Sequence, residues 1–85
     1  MLLVKEKLSK KGCYSVGYCP TFNIYVMCCF VEGSVTYKRY YQISEEDYTA
    51  FDLDKLDSLA ELFNRVGVFT DRFIYSQRAS ENINS

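Results

Sequence analysis

The sequence predicts an α+β fold, an antiparallel β-meander of about four strands packed against one or two C-terminal helices. Three observations predict it. Strand-like segments fill residues 1–43, an acidic capping sequence begins at Ser44, and an apolar stripe with helical spacing follows. The chain has 85 residues, of which 48% are hydrophobic, and this is the size and composition of a single small domain, 1–85.

Four segments within residues 1–43 predict the strands of the meander. Residues 2–8 alternate weakly between apolar and polar, and their lysines are typical of an edge strand. Residues 13–19 alternate clearly. Residues 22–31 are apolar on both faces, which predicts a central strand covered by helices on one side and by a loop or a partner on the other. Residues 35–43 alternate again and end the part of the chain that is mainly β.

Two helices are predicted between residues 44 and 66. Ser44 and Asp47 have the spacing of a capping box, so the first helix starts there and ends near Phe51. The second is expected to start at Asp54 and to stop at Gly67. Its apolar stripe consists of Leu56, Leu59, Ala60, Phe63 and Val66.

The C-terminal region is less regular. Phe69, Phe73 and Tyr75 predict a last short strand or an ordered loop. The polar residues 77–85 are expected to form a frayed tail.

The four cysteines are expected to be free thiols. Cys28 and Cys29 are adjacent in the most apolar segment, and strand geometry places them on opposite faces as small core residues. Cys13 and Cys19 do not have the spacing of a zinc knuckle. Because the chain also contains no histidine, we expect no metal, no cofactor and no catalytic residues. The protein is therefore not expected to be an enzyme.

The remaining composition predicts a cytoplasmic protein. No apolar run reaches the length of a membrane-spanning helix, and the first residues become charged too early for a signal peptide. Free thiols are typical of a reducing compartment. We therefore expect no membrane contact and no small-molecule substrate.

Acidic residues are concentrated in the helical region. Residues 45–61 contain seven acidic residues and one basic residue, Lys55, so their formal net charge is −6. Such a face would attract a basic protein and repel phosphates, so nucleic acid is not an expected partner, although the lysines of residues 1–11 leave it as a third hypothesis. The alternative is that the acids only cap two helices and solvate their outer faces.

A tyrosine-rich strand precedes the acids, and tyrosine is enriched in binding interfaces, although tyrosines also simply cover sheet faces. The predicted partner-binding residues combine this strand with the acidic region. They are Tyr40, Glu45, Glu46, Asp47, Asp52, Asp54 and Asp57.

Two segments carry a resemblance to a known class. The sequence Arg-Tyr-Tyr-Gln-Ile-Ser-Glu-Glu-Asp-Tyr at 39–48 and the sequence Asp-Arg-Phe-Ile-Tyr-Ser at 71–76 resemble small bacterial immunity proteins of contact-dependent growth inhibition and related polymorphic toxin systems. The resemblance implies a cytosolic antidote that binds a cognate toxin domain, often a basic nuclease, and occludes its active or nucleic-acid-binding surface. The alternative is a small phage- or plasmid-type regulatory or structural adaptor, acting through protein contacts and possibly a homodimer through an apolar sheet face.

Overall fold

The computed structural model describes residues 2–9, 14–51 and 56–82. Five strands form one sheet, in the order β1 (Val4–Leu8), β2 (Tyr14–Cys19), β3 (Ile24–Val31), β4 (Tyr37–Ile43) and β5 (Phe73–Ser76). Two helices, α1 (Glu45–Ala50) and α2 (Asp57–Val66), connect β4 to β5, and a 3₁₀ helix (Ala79–Asn82) follows. The predicted α+β class is confirmed.

Every neighbouring pair of strands is antiparallel, and the sheet order is the chain order, so the sheet is a meander. The central strand β3 pairs with β2 and β4, as its apolar sequence predicts. The edge strand β1 carries an irregularity between Val4 and Lys7, where Lys5 has a positive φ of 52°.

The helices cover one face of the sheet, called here the helix face. Val16, Met27 and Tyr41 lie there. Each is fully buried, and all three pack in one cluster with Ala60 and Phe63 of α2. The Tyr41 ring stacks on the Phe63 ring with centroids 4.2 Å apart. This layer is the larger of two hydrophobic clusters, so the main core lies between helices and sheet.

The opposite face, called here the second face, has its own apolar cluster built on Cys19, Val26, Cys28 and Tyr40. None of the helices in the described residues contributes to it. Cys28 is 2% exposed on this face and Cys29 is 0% exposed on the helix face, which confirms their predicted separation.

The second helix differs from its prediction at one end. α2 begins at Asp57 after Leu56, which caps it without a side-chain hydrogen bond, whereas the predicted start at Asp54 lies outside the described residues. Leu56 is 3% exposed and belongs to the core cluster of the helix face, so the start of α2 is anchored by a buried apolar side chain. The predicted stop is confirmed, because Gly67 has a φ of 62° and its N–H donates to Phe63 O at 2.9 Å.

The expectation of a frayed tail is wrong for residues 77–82. Gln77 N–H donates to Lys38 O at 3.0 Å, and Lys38 N–H donates to the Gln77 side chain at 2.9 Å. Ser76 N–H donates to Asn82 Oδ1 at 2.9 Å, and the Asn82 amide Nδ2 donates to Ser76 O at 2.8 Å. These bonds extend the edge of the sheet beyond β5 and hold the 3₁₀ helix against it.

Candidate functional site

The acidic start of α1 is fixed in place by the predicted capping box. Asp47 N–H donates to Ser44 Oγ at 3.0 Å, and Ser44 N–H donates to Asp47 Oδ2 at 3.2 Å. The helix therefore begins at Glu45, and Glu45 and Glu46 are both exposed in its first turn.

The inner side of α1 is held by aromatic packing. The Tyr48 ring lies 4.8 Å from the Tyr25 ring, and its hydroxyl donates to Lys5 O at 2.5 Å. The Lys7 ammonium lies 4.5 Å from the Tyr48 ring centroid. Tyr48 thus fixes α1 on the sheet, while Glu45 and Glu46 of its first turn stay exposed.

The connection between α2 and β5 lies against this acidic turn. Arg72 Nη1 is 3.8 Å from Asp47 Oδ2, and Gln42 N–H donates to Arg72 O at 2.7 Å. Phe69, three residues before Arg72, is 86% exposed. We call the surface formed by Glu45, Glu46, Asp47, Phe69, Asp71 and Arg72 the α1 corner.

The α1 corner is acidic and accessible. It carries four carboxylates and one guanidinium, so its formal net charge is −3. Glu45, Glu46 and Asp71 are exposed, so water surrounds them and they are poor candidates for acid–base chemistry, which needs a desolvated group. An exposed acidic cluster of this kind can instead attract a cationic protein surface, and the exposed ring of Phe69 on the adjoining connection offers apolar area to such a partner.

The structure brings together only part of the predicted binding set. Glu45, Glu46 and Asp47 lie at the α1 corner. Tyr40 is only 7% exposed and lies on the second face, where its ring is 5.9 Å from that of Tyr75, so it is not beside the acids.

The other predicted acids do not join this group in the described residues. Asp57 starts α2 and accepts a hydrogen bond from the Tyr14 hydroxyl at 2.6 Å. This bond links the start of α2 to β2. Asp52 and Asp54 lie outside the described residues.

Phe69 is an exposed residue that the sequence does not single out for binding. The sequence predicts a last short strand or an ordered loop over Phe69, Phe73 and Tyr75, and the strand β5 begins only at Phe73, so Phe69 lies in the turn before it. Its exposure could have been inferred from its position, because Phe69 lies two residues after the helix stop at Gly67. In the turn that reverses the chain there, no sheet covers an apolar side chain.

Two of the buried thiols, Cys28 and Cys29, are unsuited to nucleophilic chemistry. Cys19, Cys28 and Cys29 are free and buried, whereas Cys13 lies outside the described residues. Burial raises the pKa of Cys29 to about 12 and also raises that of Cys28, so both are protonated at neutral pH. Across residues 2–9, 14–51 and 56–82, no three cysteine or carboxylate side chains are placed to hold a metal ion.

No helix in the described part of the chain is long and apolar enough to cross a membrane. Comparison with protein-family models, with curated proteins and with solved structures finds no match to this chain.

Proposed function

We propose that this protein is an immunity protein, an antidote that acts in the cytoplasm. It binds a cognate toxin domain with a basic surface, which we take to be a nuclease, and neutralises it by covering its active or nucleic-acid-binding surface. The observation that carries the proposal is the exposed acidic start of α1, with Glu45 and Glu46 in its first turn, against which Arg72 of the connection that carries the 86% exposed Phe69 packs at 3.8 Å from Asp47.

The two kinds of residue have different roles in this account. The carboxylates imitate the phosphates that a nuclease binds, and they raise the rate of association with a basic protein. Phe69 supplies apolar area that becomes buried on binding. An aromatic anchor of this kind contributes on the order of 2 kcal/mol when it fills a pocket on the partner.

Binding without catalysis also agrees with the rest of the molecule. The buried thiols of Cys28 and Cys29 are protonated, and Glu45, Glu46 and Asp71 are solvated. An antidote needs neither a nucleophile nor a general base, because steric and electrostatic occlusion of the toxin is sufficient.

The test is protection of growing cells. If the proposal is right, a large secreted protein is encoded directly upstream of this chain, and its C-terminal domain, expressed from an inducible promoter in a bacterial host, is the probe. The chain is co-expressed as wild type, as the triple variant E45K/E46K/F69A, or as the control Glu32→Lys. Glu32 is an exposed acid in the turn between β3 and β4, remote in sequence from the α1 corner.

We expect the wild type and E32K to restore growth and the triple variant to fail, with circular dichroism showing that all three are folded. If the wild type gives no protection, the immunity function is wrong. If the triple variant protects as well as the wild type, the function stands but the α1 corner is not its site.

A further inference from the structure

The strand β5 forms one outer edge of the sheet, and its last residue, Ser76, directs its backbone polar groups away from β4. The next residue, Gln77, donates its N–H to Lys38 O, toward β4. Successive residues of a strand direct their N–H and C=O to opposite neighbours. The N–H and C=O of Ser76 therefore face outward, where the described residues place no further strand. An edge of this kind offers pairing sites to another chain.

The Asn82 side chain occupies both of these outward groups. Ser76 N–H donates to Asn82 Oδ1 at 2.9 Å, and Asn82 Nδ2 donates to Ser76 O at 2.8 Å. In an antiparallel sheet, the two residues of a hydrogen-bonded pair exchange the same two bonds, one in each direction. Because a carboxamide supplies both an acceptor and a donor, Asn82 makes the contacts that a residue of a sixth strand would make.

The turn that carries Asn82 is itself bonded to the sheet. The fully buried Ser76 side chain donates its hydroxyl to Glu81 Oε1 at 2.7 Å and accepts the Arg78 N–H at 3.0 Å. Glu81 is also paired with Arg39 on β4. The 3₁₀ helix is therefore fixed to both β4 and β5, and it holds Asn82 against the edge.

The two edges of the sheet are protected differently. The strand β1 has a register irregularity and three charged side chains among its five residues, and both features discourage pairing. The sequence of β5 is Phe-Ile-Tyr-Ser, without a charge or a proline. Its first residue is covered, since Phe73 N–H donates to Thr70 O at 3.2 Å and a register irregularity lies beside it. At the Ser76 end the pairing with β4 is regular, and Asn82 provides the protection there.

We propose that the C-terminal 3₁₀ helix is a latch, in which the Asn82 side chain takes the place of a neighbouring strand at Ser76 and closes the outer edge of β5. Without the latch, the outward groups of Ser76 are open to pairing. In a purified sample the strand that reaches them is β5 of another copy, with Ser76 of each copy exchanging both bonds with Ser76 of the other. The latch lies at the opposite end of β5 from Arg72, so it is separate from the α1 corner and independent of toxin binding.

The first measurement is amide hydrogen exchange, followed by NMR on the wild type and on Asn82→Ala. We expect the Ser76 amide of the wild type to be protected although it lies on an outer edge, and to exchange at least about tenfold faster in N82A. Asn64→Ala is the matched control, because Asn64 is exposed on α2, and it should leave the exchange of Ser76 unchanged. A Ser76 amide that exchanges freely in the wild type overturns the proposal.

The second measurement is sedimentation velocity of the same three proteins from about 10 to about 500 μM, since association must rise with concentration. We expect N82A to associate at a concentration at least about tenfold lower than the wild type and N64A, because its edge is open. Circular dichroism shows whether all three are folded. Equal sedimentation of folded N82A and wild type at every concentration overturns the proposal.

A second substitution locates the association. Tyr75 is 42% exposed on β5, so Tyr75→Lys places a charge on the edge strand. In a pair of β5 strands the two lysines are diagonal neighbours on one face and repel each other. The double variant N82A/Y75K is therefore expected to sediment as the wild type does. A double variant that associates as strongly as N82A places the contact elsewhere on the molecule and overturns the latch.

Discussion

Arg39 and Glu81, 42 residues apart in the chain, form a two-pronged ion pair at the end of the helix face. Arg39 Nε donates to Glu81 Oε1 at 3.0 Å and Nη2 donates to Oε2. The hydroxyls of Tyr37 and Ser76 donate to the same carboxylate at 2.9 and 2.7 Å. The bond from Arg39 is the main reason that the pKa of Glu81 falls to about 2.

The first prediction concerns the pH dependence of stability. The pKa of Glu81 is lower in the folded chain than its ordinary value of 4.5, so its stabilisation is complete above pH 4.5 and is lost as the pH falls toward 2. Glu81→Gln is expected to lower the free energy of unfolding at pH 7 by about 2 kcal/mol, allowing for partial solvent screening. Urea unfolding at pH 7 and at several values between 5 and 2 measures this loss.

The same titration contains its own control. E81Q is expected to lose less stability than the wild type between pH 5 and 2, because the shifted carboxyl is absent. Parallel pH profiles for the two proteins would show that the pair contributes nothing to stability.

The second prediction concerns the end of α2. Gly67 has a φ of 62° and a ψ of −122°, a conformation that side chains rarely adopt. Its carbonyl accepts the Tyr41 hydroxyl at 2.7 Å, so the backbone there cannot relax freely. Gly67→Ala is therefore expected to destabilise the fold by about 2 kcal/mol. Gly33→Ala, where the nearest atom to an added Cβ is 3.7 Å away, should change stability by less than about 0.5 kcal/mol.

Chemical denaturation of the two alanine variants side by side makes this comparison. Equal midpoints for G67A and G33A would mean that the turn after α2 adapts to a side chain, contrary to the strain argued here.

The third prediction separates Tyr40 from the α1 corner. Tyr40 belongs to the buried cluster of the second face, so Tyr40→Phe is expected to leave affinity for the toxin domain unchanged. Phe69→Ala removes an exposed ring and should weaken that affinity by about 10- to 30-fold, or roughly 1.5–2 kcal/mol. Isothermal titration calorimetry of both variants against the upstream-encoded domain measures the difference. A strong loss in Y40F with none in F69A would move the binding site to the second face.

Local signals predicted much of this fold. The capping box at Ser44 and the stop at Gly67 depend on neighbouring residues, and both are confirmed. Alternation alone separated Cys28 from Cys29. These features could be predicted because the contacts that produce them lie within a few residues in sequence.

Long-range relationships could not be predicted in the same way. Tyr40 was expected beside the acids because it precedes them closely in the chain, but the face that the helices cover is decided by packing across the whole sheet. The tail was expected to fray because no local pattern reveals that Glu81 meets Arg39. Asp57 was expected on an outer helix face, yet it accepts the Tyr14 hydroxyl from β2.

The most direct test of the proposed function is the association rate constant between this chain and the proposed toxin domain, measured by stopped-flow fluorescence at low and at high salt. Because electrostatic attraction mainly accelerates association, the double variant E45K/E46K is expected to associate at least about tenfold more slowly than the wild type at low salt. That difference should shrink as salt screens the charges. Equal rate constants for the two proteins at low salt would contradict binding through the acidic start of α1.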